Sequence, residues 1–183
     1  MSTVAPTRIT ADEVLANSEF DLCEFVGGEI LGKDMSGLSA LVEAKIVFQL
    51  VAYCNLHGGV TFGATAAYRC FSEDPNKFRR PDASYISAGR IHDDELELGY
   101  ISIPPDLAVE VVSPNDLAYE VETKVDEYLE ADVRMVWLVL PVNQTVRVFR
   151  AGHDPIQLNS QAELSGEDVL PGFRCRVIDF FSR

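Results

Sequence analysis

The sequence predicts an α/β protein of the α+β kind, with a central mixed β-sheet flanked by helices. Three observations support this prediction: a strongly apolar run at 106–113, two long helical patterns at 36–57 and 113–131, and two strand-like segments at 135–140 and 145–150. The chain has 183 residues, a length that suits one domain spanning 1–183.

The first third of the chain is predicted to contain two helices and a hairpin. Thr10 caps a short helix, since acidic residues follow it in the first turn. Two glycines flanked by strand-like runs indicate a hairpin over 25–31. Apolar residues then recur at helical spacing from Ser36, and two glycines after His57 end this helix.

The middle and end of the chain alternate between strands, loops and one helix. Strands are predicted at 60–67, 68–71, 82–86, 106–113, 135–140 and 145–150. Loops are predicted at 76–80 and at 87–103, where one helical turn is an open alternative, and a last apolar segment lies at 177–181. The run 106–113 is nearly all apolar, as expected of a strand buried on both faces. Ser113 ends it, and Pro114 opens a helix that reaches about Ala131.

Composition argues against several functional classes. The formal net charge of −14 disfavours broad non-specific DNA binding, which depends on Lys and Arg. There is no run of about 18 apolar residues and no secretory signal, so we expect no membrane span and a cytoplasmic location. The four cysteines and three histidines lack metal-ligand spacing, so neither a zinc site nor histidine-based catalysis is predicted.

Glu110 is the most distinctive candidate for a functional residue. It lies in the apolar run 106–113, where a carboxylate is costly to bury unless it is paired or bound to a metal. Its side chain points to one face of the sheet, while those of Val109 and Val111 point to the other. An ion pair with an arginine in the core is the structural alternative.

Lys124 lies on the helix that follows this strand. At about 100° per residue, it falls inside or beside an apolar stripe formed by Leu117, Val121 and Tyr128. A lone lysine in such a stripe commonly extends to water. A helix that follows a strand packs back on the sheet, however, so Lys124 and Glu110 are expected to be neighbours.

Asp82 completes a set of three. It opens the strand 82–86 after Pro81, and alone it would be explained as a turn-capping residue. Together with Glu110 and Lys124 it suits phosphodiester hydrolysis, because two carboxylates can hold Mg²⁺ or Mn²⁺ with waters in the other positions. The metal lowers the pKa of a bound water, and the lysine orients that water, helps to deprotonate it or stabilises the phosphate oxygens.

A basic segment lies directly before Asp82. It consists of Lys77, Arg79 and Arg80, with Phe78 between the first two. Such a segment is either a nucleic-acid-binding patch or a solvated loop, and the sequence favours the two interpretations equally.

Several motifs resemble those of the Uma2 family of endonucleases, also called DUF820, in the PD-(D/E)XK nuclease superfamily. The motifs are Arg80-Pro81-Asp82, the string PPDLAVEVVSP at 104–114, Lys124 with Tyr128, and VWLV at 136–139, with Gly28-Glu29 and LPGF at 170–173 near the ends. The resemblance therefore covers nearly the whole chain.

The resemblance implies a restriction-endonuclease-like fold and a DNA substrate. It implies that Asp82 and Glu110 bind Mg²⁺ or Mn²⁺ and that Glu29 is an auxiliary acid near the site. The standard superfamily motif places its lysine two residues after the second acid, where this chain has Val112. The Uma2 family instead places its lysine on the next helix, a position that Lys124 matches. Many relatives also have a histidine near the start of the long helix, and 38–40 contains none.

The leading hypothesis is a metal-dependent DNA endonuclease. Two alternatives stay open: a catalytically inactive binding domain on the nuclease fold, and a metal-dependent hydrolase of a small phosphate compound, which suits the acidic composition better. A homodimer is expected, because nucleases that cut both strands often pair.

Overall fold

The computed structural model describes residues 9–33 and 35–182. Within these residues the helices are α1 (Ala11–Leu15), α2 (Gly37–His57), α3 (Asp93–Leu96) and α4 (Ala118–Glu130). The strands are β1 (Cys23–Val26), β2 (Glu29–Gly32), β3 (Val60–Gly63), β4 (Ala83–Ile86), β5 (Leu107–Val111), β6 (Met135–Leu140), β7 (Thr145–Phe149), β8 (Ile156–Leu158), β9 (Glu163–Ser165) and β10 (Arg174–Arg176). Two short 3₁₀ helices are Ser18–Phe20 and Val177–Phe180.

Six strands form the central sheet, in the spatial order β3-β4-β5-β6-β7-β8. β5 and β6 are parallel and are connected through α4, while the other neighbouring strands are antiparallel. The sheet is therefore mixed, as predicted. The hairpin β1–β2 and the pair β9–β10 form two separate two-stranded sheets.

The two faces of the sheet are covered by different helices. Val109 and Val111 point towards α2, whose Val42, Ile46 and Leu50 belong to the same buried cluster. On the opposite face, Ala108 packs with Val125 and Tyr128 of α4. Because side chains alternate along a strand, Glu110 faces α4, as the sequence predicted.

Helix α2 is long and apolar. By length and composition it could cross a membrane, with a mean hydropathy of 1.4, and it is the only such helix within the described residues. In the fold, however, its inner face packs on the central sheet through Val42, Ile46, Leu50 and Tyr53. Leu38 and Leu41, which share the apolar pattern in the sequence, are exposed instead.

The N-terminal predictions agree with the structure. Thr10 caps α1 and forms a reciprocal capping box with Glu13. The hairpin β1–β2 turns at the two predicted glycines, both at positive φ. Ser36 caps α2 by accepting a hydrogen bond from the N–H of Ser39.

Two local predictions were wrong, and three short strands were missed. The strands predicted at 60–67 and 68–71 reduce to β3, and the chain beyond it forms only isolated bridges, such as Tyr68 with Arg79. The helix predicted from Pro114 begins at Ala118, because Ser113 and Asp116 close a turn through two hydrogen bonds. The short strands β8, β9 and β10 were not predicted, since three residues are too few to show a period of two.

Gly59 connects α2 to β3 at a close approach between backbones. Its φ is +87°, and a Cβ atom there would lie 2.6 Å from the Tyr85 ring and 2.7 Å from the carbonyl oxygen of Ile86. Gly89 has a similar φ of +79° but has no atom within 4 Å of that position. Gly59 is therefore required both for its conformation and for space.

Gly59→Ala is expected to destabilise the protein more than Gly89→Ala. Both changes strain a left-handed backbone at a cost of about 1–3 kcal/mol, but only Gly59→Ala adds a steric clash. Urea denaturation of both variants and the wild-type protein measures the difference. Equal losses would show that the close approach to Tyr85 does not constrain the turn.

Candidate functional site

The sheet register brings the two predicted acids together. β4 and β5 pair with Ala83 opposite Val109, so Asp82, the residue before β4, lies across from Glu110. The N–H of Val111 donates a 2.6 Å hydrogen bond to Asp82 Oδ2, which holds the carboxylate at this end of the sheet. Both side chains are buried.

Glu110 is held from the α4 side. The Tyr128 hydroxyl donates a 2.8 Å hydrogen bond to Glu110 Oε1, and Lys124 Nζ lies 3.6 Å from Glu110 Oε2. The two predicted neighbours, Lys124 and Glu110, are therefore in contact. Burial raises the pKa of Glu110 above its ordinary value, although Lys124 and Lys33 act to lower it.

Glu24 on β1 is an acid that the sequence analysis missed. Its carboxylate lies 2.7 Å from Arg79 Nη1 and 3.1 Å from Lys124 Nζ, and it accepts a 3.0 Å hydrogen bond from the N–H of Arg80. Burial alone would raise the pKa of Glu24, but Lys124, Arg79 and Lys33 outweigh burial and hold this pKa below its ordinary value. Glu24 is therefore a buried anion shared by two cations.

Lys33 is a second missed residue, directly after β2. Its Nζ lies 2.6 Å from Asp82 Oδ1 and donates another 2.6 Å hydrogen bond to the carbonyl oxygen of Arg80. Burial lowers the pKa of Lys33, but Glu110 and Asp82 outweigh it and raise this pKa above its ordinary value. The ammonium group is therefore a fixed positive charge beside Asp82.

Glu43 on α2 is the third missed residue. It is half-buried, and burial together with the charge of Asp82 raises the pKa of its carboxyl group. Glu43 and Lys45 are the only charged residues of α2 before its terminal His57. That isolation within an apolar helix was the feature that could have identified Glu43 from the sequence.

No comparable feature marks Glu24 or Lys33. Glu24 precedes Phe25 on a strand, and strict alternation would place one inside and the other outside, yet both are buried. Lys33 follows an exposed part of β2, where a lysine is ordinary. Only the folding of the hairpin against the segment before β4 brings Glu24 to Lys124 and Lys33 to Asp82.

Glu24 and Lys33 border a cleft of about 400 Å³. Lys33, Asp82, Glu110 and Lys124 line it, and Ser113 lies at its edge, after β5. The volume is within the range of small-molecule sites, about 300–1,000 Å³. One cleft therefore joins the predicted catalytic residues to solvent.

The donor atoms in the cleft suit a hard cation. Within 9–33 and 35–182, no group of three or more His, Cys, Asp or Glu side chains is close enough to hold a metal. Asp82 and Glu110 nevertheless offer carboxylate oxygens from adjacent strands. One or two carboxylates with several waters is the coordination that Mg²⁺ commonly has in proteins, so the residues present fit that ion.

The predicted basic patch is neither a patch nor a solvated loop in the structure. Arg79 is 5% exposed and pairs with Glu24 and Glu127, while Arg80 is 6% exposed and donates to the carbonyl oxygens of Cys23 and Thr65. Lys77 lies over the Phe71 ring and 3.3 Å from Glu127. Lys77 and Arg79 are therefore paired with carboxylates, and Arg80 is held by backbone carbonyl oxygens, because the chain beyond β3 runs under the hairpin β1–β2.

Glu29, the predicted auxiliary acid, lies away from the other site residues. It is exposed at the start of β2 and does not line the cleft. Glu24, opposite Leu31 in the same hairpin, lies beside Lys124 instead. The auxiliary role of Glu29 stays a prediction that its position does not support.

The start of α2, where the expected histidine is missing, carries serines that form hydrogen bonds with one another and with the residues after β5. Ser39 is buried, and its hydroxyl lies 2.8 Å from that of Ser36 and accepts a 3.0 Å hydrogen bond from the Ser113 hydroxyl. It also donates to the carbonyl oxygen of Val112. Hydroxyl groups therefore join the start of α2 to the end of β5, beside the cleft.

The chain belongs to the Uma2 family. The family model, described as "Putative restriction endonuclease", matches residues 15–178, which is most of the chain. No curated protein matches the sequence.

A solved structure has the same fold. It is the crystal structure of "a putative nuclease belonging to DUF820" from Anabaena variabilis ATCC 29413, and the two chains are 22% identical with a TM-score of 0.80. The match covers 94% of this chain and 97% of that chain. The predicted nuclease-type fold, a central mixed sheet flanked by helices, is confirmed.

Glu24→Gln is expected to destabilise the protein by about 1–3 kcal/mol, because Arg79 and Lys124 lose their shared anion and keep only Glu127 and Glu110 as partners. Glu29→Gln, an exposed change in the same hairpin, is the control and should have almost no effect. Urea denaturation measures both. Since the pKa of Glu24 is lowered, the loss should be full above its ordinary pKa and should shrink as the pH falls through the lowered value. A loss that does not change with pH would contradict this assignment.

Proposed function

We propose that this protein is a Mg²⁺-dependent, or Mn²⁺-dependent, endonuclease that hydrolyses DNA phosphodiester bonds. The observation that supports the proposal is the convergence of Asp82, Glu110 and Lys124 in one cleft. Membership of a family described as restriction endonucleases points to the same chemistry.

Asp82 and Glu110 would hold the metal. The bound ion would supply a more acidic water and neutralise negative charge on the phosphate. The protein's own residues fix these two acids: Val111 orients Asp82 through its N–H, and Tyr128 orients Glu110 through its hydroxyl. The carboxylates are therefore positioned before a substrate arrives, which is the preorganisation that catalysis requires.

Lys124 acts as a cation in this proposal. Glu110 and Glu24 outweigh the effect of burial and raise its pKa well above the ordinary value, so it stays protonated at neutral pH. A protonated lysine cannot accept a proton from water, but it can stabilise the negative charge that develops on the phosphate. Of the roles considered for this lysine, electrostatic stabilisation is thus the best supported. Glu24, 3.1 Å away, positions it.

Asp82→Asn and Glu110→Gln are expected to abolish Mg²⁺-dependent cleavage of plasmid DNA. Lys124→Met should lower kcat by about 10²–10³, the usual cost of removing one charge-stabilising donor. Calorimetric titration should show that the two acid variants also lose Mg²⁺ binding, while Lys124→Met retains it. Cleavage that survives Glu110→Gln would exclude this site as the catalytic centre.

A matched control for these variants is Asp126→Asn, which changes an exposed acid on the same helix as Lys124. It should retain full activity. Glu110→Gln also removes an ion-pair partner of Lys124, so circular dichroism and urea denaturation must first show that this variant is folded. A loss of activity can then be assigned to chemistry.

A wild-type protein that binds no Mg²⁺ or Mn²⁺ would instead support a non-catalytic binding domain.

Lys33→Met is expected to increase the affinity for Mg²⁺ by at least tenfold, about 1.4 kcal/mol. The Lys33 ammonium pairs with Asp82, one of the two residues that would hold the metal, and it repels any cation nearby. The Kd from calorimetric titration measures the effect. Lys45→Met, which removes a lysine that bonds Ser182 instead, is the control. Unchanged affinity would show that Lys33 does not compete with the metal.

A second candidate is hydrolysis of a small phosphodiester. The observation that favours it concerns the basic segment in a chain of net charge −14: Lys77 and Arg79 are paired with carboxylates, and Arg80 is buried against backbone carbonyl oxygens. These three cations are therefore poorly placed to contact the phosphates of a long DNA. Bis(p-nitrophenyl) phosphate is the probe. Turnover of this compound without plasmid cleavage, lost in Glu110→Gln, would favour this function over the DNA endonuclease.

The proposed endonuclease would act in the cytoplasm as a homodimer. Cleavage of both strands of a duplex takes two active sites, and each copy of this chain supplies one. An isologous dimer, with a two-fold axis between the copies, would present the sites symmetrically.

A further inference from the structure

The outer side of α2 is an exposed apolar surface. Phe48 is 70% exposed, and Leu41 and Val51 are each 40% exposed, although all three lie within a long helix of the domain core. Ala44 and Ala52 are exposed between them. A helix that is apolar on all sides is normally buried, yet this side of α2 is exposed.

These five residues form one face of α2. At about 100° per residue, all of them lie within roughly a third of the helix circumference, on the side opposite the sheet. We name this surface, formed by Leu41, Ala44, Phe48, Val51 and Ala52, the outer face of α2. Contiguous apolar surfaces of this kind mark interaction sites in proteins.

The outer face of α2 has no charged side chain. Of the two charged residues inside the helix, Glu43 lies on the side of Asp82 and Lys33, while Lys45 borders the outer face and bonds Ser182. The chain as a whole has a net charge of −14, so two copies repel each other over most of their surfaces. Contact through the outer face would bring no carboxylates of α2 together.

The order of residues on this face is self-complementary. Phe48 lies near the middle of the helix, with the small residues Ala44 and Ala52 four positions away on either side. In an antiparallel pair of α2 helices, each Phe48 can lie beside Ala44 and Ala52 of the other copy. An isologous interface requires such a match of a surface with itself.

We propose that the outer face of α2 is the contact surface of a homodimer, in which a second copy of this chain packs antiparallel around a two-fold axis near Phe48. A helix of 21 residues is about 30 Å long. The face alone provides less than the roughly 800 Å² per partner of a standard interface. The dimer therefore dissociates on dilution.

Analytical ultracentrifugation over a range of protein concentrations tests this proposal. The wild-type protein should show a monomer–dimer equilibrium, and Phe48→Glu should be monomeric at every concentration. Val142→Glu is the matched control: Val142 is 76% exposed in the β6–β7 turn, so the same charge is added away from α2. This control should dimerise like the wild type.

The register is tested by opposite charges. Phe48→Glu and Phe48→Lys should each be monomeric alone, but an equimolar mixture should form a heterodimer, because residue 48 of one copy lies near residue 48 of the other. Circular dichroism checks that both variants are folded.

Three results would overturn the proposal. These are a wild-type protein that stays monomeric at high concentration, a Phe48→Glu variant that still dimerises, and a mixture of the two variants that stays monomeric. Flotation of the monomeric wild-type protein with phosphatidylcholine vesicles would show that lipid covers the face instead. Association is measured without any activity, so its failure and that of the proposed nuclease function are distinguishable.

Discussion

The site depends on the burial of charges of alternating sign. Asp82, Glu110 and Glu24 are anions with little exposure to water, and each is costly to bury alone. Lys33 pairs with the first, while Lys124 lies between the other two. Because every ion has an opposite neighbour, the fold can keep several charges in a cleft where their mutual interactions are stronger than in water.

The same pairing holds distant parts of the chain together. Glu24 belongs to the hairpin β1–β2, Arg79 to the segment before β4, and Lys124 to α4, and the three meet at one carboxylate. The hairpin is not part of the central sheet, so these ion pairs and the backbone contacts between Phe25 and Phe78 attach it. The residues that line the cleft therefore also hold the hairpin β1–β2 against the rest of the protein.

The sequence was informative where local pattern decides structure. An acid in an apolar strand identified Glu110, and helical spacing placed Lys124 beside it. It was uninformative where the fold brings together distant segments: Glu24 and Lys33 are ordinary hairpin residues until the hairpin docks. Arg79 and Arg80 show the same limit, because a basic segment looks like a surface patch unless its buried partners are known. The start of α4 was missed because the turn between Ser113 and Asp116 competes with the helix.

The bond between Lys124 and Glu24 joins residues 100 positions apart. Contacts of such long range form late, since the entropy of closing the loop opposes them until the intervening structure exists. During synthesis, the hairpin and β4 leave the ribosome well before α4 does. A partly made chain therefore has Asp82 but neither Glu110 nor its lysine, so the proposed nuclease chemistry would be unavailable until most of the chain has been synthesised and folded.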